Sequence, residues 1–265
     1  MELKFDQHFL KNNDTLLLTI NEANIKKEDI IYEIGPGQGI LTTQILKKHP
    51  KLLISIEKDP KMKEFLEKIK QTHKNTFKYE INKDGVEEMG NNSFTKLIAN
   101  IPYSITEPLY KRILDKKIEF AILLHGNDFY KKINIPNNKW YYFINAFYTI
   151  TLLKEVPGTD FEPKTKTKSS LLKLELKPQS KQTKFDEFLQ ILYSKKKRTP
   201  INAIIFSLVD TLELSKKQIK EKFKTPKLSK LISTFNASNE TTLENISNND
   251  FTQLINEIES DFFSN

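Results

Sequence analysis

Cysteine is absent from the 265 residues, which removes disulfide staples, thiolate metal sites and a cysteine nucleophile together. The four histidines, His8, His49, His73 and His125, show no paired spacing suited to a metal ion, so no metal is expected. No apolar run approaches the roughly 20 residues needed to cross a bilayer. The opening MELKFDQHFLKNND has neither the apolar stretch of a signal peptide nor the acid-poor, Arg-rich composition of a transit peptide. A cytoplasmic location without a membrane partner is therefore expected. Internal repeats and low-complexity segments are missing as well.

What remains is a chain of globular composition, 38% hydrophobic and 29% charged. Its length suits one domain of ordinary size and a smaller one. The net charge of +8 is unevenly spread. From Lys164 to Lys230 there are 18 Lys/Arg against 6 Asp/Glu, whereas Leu231 to Asn265 holds 6 acids and no base. A concentrated basic block is the footprint of a polyanion partner, and equally of a lysine-rich solvated surface. Charge alone leaves both open.

Periodicity places a helix over Leu16 to Ala23, with Asp14 and Thr15 as cap candidates. A buried-strand run, DIIYEIG, then leads into three glycines within five residues. Strands at KLLISIE, Thr76 to Ile81, Phe94 to Ala99 and Glu119 to Leu124 alternate with helices at Ile40 to Lys48, Lys61 to Lys70 and Glu107 to Leu114. Such alternation implies an α/β fold with a mostly parallel sheet covered on both faces. The stretch WYYFINAFYTITLL and the later SSLLKLELK finish the sheet as helix and strands. Short helices at Phe185 to Leu192, Ile201 to Leu208 and Asp250 to Ile258 define a small all-helical domain starting near Pro178. The expected domains are thus residues 1–177 and 178–265.

The sharpest local signal is Glu33-Ile-Gly35-Pro-Gly37-Gln-Gly39, lying between a strand and a helix. Glycines there permit a tight turn and close backbone approach to a ligand, with helix N–H groups free to bond it. The short GxGxG spacing, the acid two residues before Gly35 and the lack of a phosphate-pairing lysine favour S-adenosylmethionine over a dinucleotide. Glu57 ends the second strand, where a carboxylate can accept both hydroxyls of a ribose; the plain alternative is a surface acid. Asn100-Ile-Pro102-Tyr103 follows the strand FTKLIA. Ligands of open α/β sheets bind beyond the carboxyl ends of the strands, so both loops are expected to face one crevice. This tetrapeptide suits methylation of a base amine. The exocyclic nitrogen of adenine is a poor nucleophile, and acceptors for its two hydrogens help it to pyramidalise. The Asn100 oxygen and a backbone carbonyl beside Pro102 can serve, with Tyr103 stacked on the purine. Alone, the tetrapeptide would be an ordinary strand-ending turn.

With these elements quoted, the chain resembles the ribosomal RNA adenine dimethyltransferases nearly end to end. The resemblance is carried by QHFL at Gln7 to Leu10, EIGPGQGILT at Glu33 to Thr42, IEKD at Glu57 and NIPYSITEPL at Asn100 to Leu109. Weaker matches are NKDG around Asp84, FEPKTKTKSSLLKL from Phe161, KKKRTPINA from Lys195 and LENISNNDF near the end. The resemblance implies a Rossmann-like S-adenosylmethionine-dependent methyltransferase domain with a small helical C-terminal domain. It implies that His8 and Leu10, with Gln7 in the same element, line the methionine end of the cofactor, and that Gly35 and its neighbours Glu33, Gly37 and Gly39 contact it too. Glu57 would take the ribose, Asp84 the cofactor adenine, and Asn100, Pro102 and Tyr103 the target adenine. Phe161 would close the target pocket from the other side, aimed there by the turn at Pro157-Gly158. The implied substrate is small-subunit ribosomal RNA or an immature small subunit, with two methyl groups added to each of two adjacent adenines by a monomer.

The chain departs from the family pattern at Asp6, where a glycine is usual, and at Lys83, where Gly-Asp reads Lys-Asp. It departs again at Thr165 and Lys168, in place of a proline and an acid, and at Gly126-Asn127-Asp128, in place of a QKE segment. These changes spare the cofactor loop and fall on the target side. Two other readings stay open: a large-subunit adenine methylase, and a non-catalytic RNA-binding assembly or transcription factor of the same fold. The run Lys195 to Arg198 fits RNA-backbone contact or a solvated helix start, and the resemblance favours RNA. The aromatics from Trp140 to Phe147 fit core packing, and His125 a turn without chemical duty.

Overall fold

The run Ile30–Ile34 forms strand β2 because its aliphatic residues can be buried on both faces, as a central parallel strand requires. The computed structural model describes residues 8–222 and 242–264. It divides into two compact units: residues up to Tyr130 with Thr149–Leu176, and Lys131–Tyr148 with the described residues from Lys177 onward. The last crossing between them falls between Leu176 and Lys177. The earlier excursion, residues 131–148, includes the aromatic run Trp140 to Phe147.

In the first unit, β1 (Phe9–Leu10) precedes helix α1 (Asn13–Ala23). The helix is capped by Asn12, whose side-chain oxygen accepts the Thr15 N–H at 2.9 Å; Asp14 and Thr15, the cap candidates, already lie inside the first turn. After β2 come α2 (Ile40–Leu46), β3 (Leu52–Glu57), α3 (Lys63–Thr72), β4 (Phe77–Ile81), the single turn α4 (Gly85–Glu88), β5 (Lys96–Asn100), α5 (Thr106–Lys116) and β6 (Phe120–Gly126). Helix α6 (Asn127–Asn134) leads out of this unit. The chain returns through β7 (Tyr148–Val156), β8 (Phe161–Glu162) and β9 (Ser169–Leu176).

Seven strands form one sheet in the order β4-β3-β2-β5-β6-β9-β7. The run from β4 to β6 is parallel, and β9 joins β6 antiparallel with Gly126 opposite Ser169. From β2 the chain moves outward through β3 and β4, then returns to the other side of β2 with β5 and β6. The strand order therefore reverses at the β2/β5 boundary, and a crevice opens there at the carboxyl ends. His125 is not in a turn: it lies within β6, 1% exposed. Its Nε2 pairs with the Tyr110 hydroxyl at 2.9 Å, and burial lowers its pKa to about 4, so it packs as a neutral core residue.

The second unit is helical: α7 (Lys139–Phe147), α8 (Lys184–Ser194), α9 (Pro200–Leu212), α10 (Lys216–Lys222) and α11 (Asn248–Phe262). Thr183 and Asp186 close a reciprocal capping box at the start of α8. Tyr142, Phe143 and Phe147 of α7 are buried, with Phe143 5.1 Å from Tyr193 and 5.2 Å from Phe251 between ring centres. The aromatic cluster is therefore core. Lys195 pairs with Asp210 at 2.7 Å. The Lys196 ammonium sits 3.7 Å from the Tyr193 ring centre, and the Arg198 guanidinium 4.9 Å from that of Phe206. Among the described residues no helix is long and apolar enough to cross a membrane, and no group of His, Asp or Glu is placed to hold a metal ion.

Candidate active site

The turn after β2 takes its shape from left-handed backbone at Gly35, Gly37 and Gly39, with φ of 66°, 55° and 80°. Side chains rarely adopt these angles, and a Cβ on Gly37 would come within 2.7 Å of the Phe9 ring. Gly35 has open space on its corresponding side. Glu57, at the end of β3, fixes the turn from beneath: its carboxylate accepts the Gly37 N–H at 2.9 Å and the Asp59 N–H at 2.8 Å. It is 4% exposed and so not a surface acid. Burial raises its pKa, against those same backbone bonds.

Glu33 is the penultimate residue of β2, opposite Ser55 of β3. One carboxylate oxygen accepts the hydroxyls of Thr42 and Ser55, at 2.9 and 2.6 Å. The other, Oε1, is buried without a hydrogen-bond partner. Burial pushes this carboxyl up to about 7; the Ser55 and Thr42 hydroxyls pull the other way, and nearby Glu57 adds to the rise. An unpartnered buried oxygen is costly unless a ligand completes it. Asp84 caps α4 through the Val86 N–H at 2.9 Å and pairs with Lys58 at 3.1 Å. Partial burial works against ionisation, but the Lys58 ammonium and the backbone donors hold its pKa below the ordinary value.

Asn100 ends β5, paired with Leu124 of β6. The Ile101 N–H to Leu124 carbonyl bond, at 2.9 Å, keeps the chain in the sheet for one further residue. Pro102 then opens a one-turn helix over Tyr103–Ile105. The Asn100 side-chain amide makes no hydrogen bond among the described residues. Tyr103 is 37% exposed.

A two-residue ribbon joins distant parts of this unit: Phe9 pairs with Glu162 and Leu10 with Phe161, antiparallel. The Lys11 N–H extends it to the Asp160 carbonyl at 2.8 Å, and His8 Nδ1 meets the Pro163 carbonyl oxygen at 2.8 Å. Phe161 is thereby buried, 3% exposed, as part of the hydrophobic core.

Both loops open on one cavity of about 420 Å³. It is lined by His8, Leu10, Glu33, Gly35, Gly37, Glu57, Asp84, Asn100, Pro102, Tyr103 and Phe161. The two motifs therefore face one crevice, as their strand-end positions require. Gly39 does not line it; this residue caps α2 and packs under Ile69. Gln7 lies outside the described residues. Phe9, Lys58 and Ser169 also line the cavity. The first two are neighbours of recognised motif residues, and Ser169 lies in the weaker match that starts at Phe161.

The family model described as ribosomal RNA adenine dimethylase matches residues 1–260. A protein of Methanococcus aeolicus named probable ribosomal RNA small subunit methyltransferase A is 30% identical over 82% of this chain and 83% of its own length. The protein of the same name from Pyrococcus furiosus is 27% identical over 82% and 80%. Among solved structures, a dimethyladenosine transferase from Plasmodium falciparum is similar with a TM-score of 0.62 and 26% identity, covering 96% of this chain and 98% of that one. The 23S rRNA methyltransferase ErmE has the same fold, with a TM-score of 0.58 at 18% identity over 95% and 99%.

Proposed function

This chain belongs to the ribosomal RNA adenine dimethylase family, and from that premise we propose that it transfers methyl groups from S-adenosylmethionine to the N6 amine of adenines in small-subunit ribosomal RNA. Two adjacent adenines would each receive two, during ribosome biogenesis in the cytoplasm. The observation that carries this reading is the Asn100 amide, free of hydrogen bonds among the described residues and lining the same cavity as the glycine turn.

The residues present fit the cofactor. Glu33 Oε1 is a buried acceptor without a partner, suited to an ammonium, and the open side of Gly35 leaves room for a ligand where a Cβ would stand. His8 and Leu10 would flank the methionine end, together with Gly37. Glu57, its carboxylate oriented by two backbone donors, has lone pairs left for ribose hydroxyls, and Asp84 accepts from the adenine amine. When bound, S-adenosylmethionine supplies an electrophilic methyl group carried on a sulfonium.

On the target side, Asn100 Oδ1 and the carbonyl beside Pro102 accept the two N6 hydrogens, drawing the nitrogen out of conjugation so that its lone pair faces the methyl group. Tyr103 stacks on the base and Phe161 bounds it opposite. Once the nitrogen has bonded carbon its proton is acidic and leaves to water, so positioning rather than a strong base supplies the rate. The helical unit and the basic run Lys195 to Arg198 would hold RNA phosphates.

The test is transfer of labelled methyl groups to immature small-subunit particles, with dimethyladenine located by mass spectrometry. Asn100→Ala should lower kcat by about a hundredfold to a thousandfold, the scale of losing one preorganised polar group, with cofactor affinity retained. Label confined to large-subunit RNA would support the large-subunit methylase instead. RNA binding without any transfer would support the assembly factor.

A further inference from the structure

Tyr103 has a seat that the motifs do not reveal. Its ring lies against the Cα of Gly126: a Cβ there would stand 3.0 Å from Tyr103 Cδ1 and 3.2 Å from both Cγ and Cε1. Its hydroxyl meets the Ser169 hydroxyl at 3.1 Å and accepts from that of Thr167 at 3.2 Å. Gly126 and Ser169 are direct partners in the β6/β9 ladder, so floor and tether belong to one rigid pair. The pair is braced by the Asn127 N–H to Lys168 carbonyl bond at 3.0 Å and by the Ser170 hydroxyl on the Asn127 side chain at 2.7 Å. Ser169 is itself 1% exposed, so its hydroxyl spends a hydrogen bond in the sheet on this one ring. Both segments lie where the chain departs from its family's pattern.

We propose that Gly126, Ser169 and Thr167 are positioning residues that hold the Tyr103 ring ready to stack on the target adenine. One face is occupied by Gly126, the hydroxyl edge is pinned, and the other face is left to the cavity. The inference rests on the reading of this cavity as an adenine methyltransferase site. It follows from geometry that an untethered ring must lose its freedom when the base arrives, which weakens productive binding. Gly126 is not among the glycines with left-handed backbone, and the nearest atoms to a Cβ there belong to the Tyr103 ring, so alanine acts on the ring first.

The test uses the full chain with small-subunit particles from cells lacking the protein. Thr167→Val and Ser169→Ala should each raise the KM for RNA, with kcat/KM down about threefold to tenfold and cofactor affinity unchanged. Gly126→Ala should fall further, and Thr167→Ser should restore most of what Thr167→Val loses. A second readout is independent of turnover: in protein labelled with 3-fluorotyrosine, the resonance assigned by Tyr103→Phe should shift and narrow in Thr167→Val and Ser169→Ala. If the wild-type protein transfers no methyl group, the reading of the activity fails, and the fluorine spectra alone decide whether the seat exists. An active wild type whose kinetics and Tyr103 resonance are unchanged in these variants would overturn the proposal.

Discussion

The two halves of the cavity are built on opposite plans. On the glycine side the backbone makes the shape, and buried carboxylates serve it: Glu57 is spent on two N–H groups, and Glu33 gives one oxygen to two hydroxyls. On the Asn100 side the side chains make the shape, with a free amide and a half-exposed ring held by the hydroxyls of Ser169 in β9 and Thr167 in the loop before it. A backbone-built half is stiff and intolerant of any Cβ, whereas a half built of side chains can be tuned by single methyl or hydroxyl groups. Substitutions should therefore fail abruptly on the first side and by degrees on the second.

The largest effect that separates them is expected at Gly37. Valine there must hold a φ of 55° and push into the Phe9 ring. Backbone strain and overpacking together amount to on the order of 4 kcal/mol. Calorimetry with S-adenosylhomocysteine should show affinity lower by at least about a hundredfold. Retained affinity would mean that the turn is not the rigid half.

Next comes the pH dependence of Glu33. The folded chain keeps this proton up to about pH 7, whereas an unfolded chain releases it near the ordinary carboxyl value of 4.5. Between those values the folded state binds more protons, so stability is full below the window and falls as pH rises through it. The loss is on the order of 3 kcal/mol. Urea unfolding at about pH 5 and about pH 7.5 should show this slope, and Glu33→Gln should flatten it. An ammonium delivered to Oε1 favours the ionised form, so ligand binding near neutral pH should release a proton. A variant that keeps the wild-type slope would assign it to other groups.

The same division explains what could be read in advance. EIGPGQG, IEKD and NIPY are each contiguous, and strand-end position alone sends them to one crevice, so most of the candidate site is legible in the sequence. The bond from Gly37 to Glu57 spans 20 residues and leaves no pattern. The ribbon of Phe9–Leu10 with Phe161–Glu162 has two residues a side, too few for periodicity to register. His125 reads as a turn residue beside Gly126, but the ladder to β9 carries β6 through both. Lys195, Lys196 and Arg198 read as a free basic run. Asp210, Tyr193 and Phe206, which partner them, are set by helix packing rather than by any local motif.

The ribbon is where the two halves meet, since Phe9 lies on the glycine turn and Leu10 pairs with Phe161. Two kinds of bond hold it: the backbone ladder, extended by the Lys11 N–H on Asp160, and the Lys11 to Glu162 ion pair at 2.6 Å, both side chains 60% exposed. Water and salt screen such a pair, so the ladder should dominate. Lys11→Pro deletes the N–H yet suits the extended residue before it; it should loosen Phe161 and raise the KM for RNA. Lys11→Met keeps the N–H and removes only the charge. It should give the smallest change of the series, with Tm moved by less than about 2 °C and methyl transfer close to wild type. If Met proves as damaging as Pro, the halves are joined by charge, and their coupling should weaken steeply as salt is added.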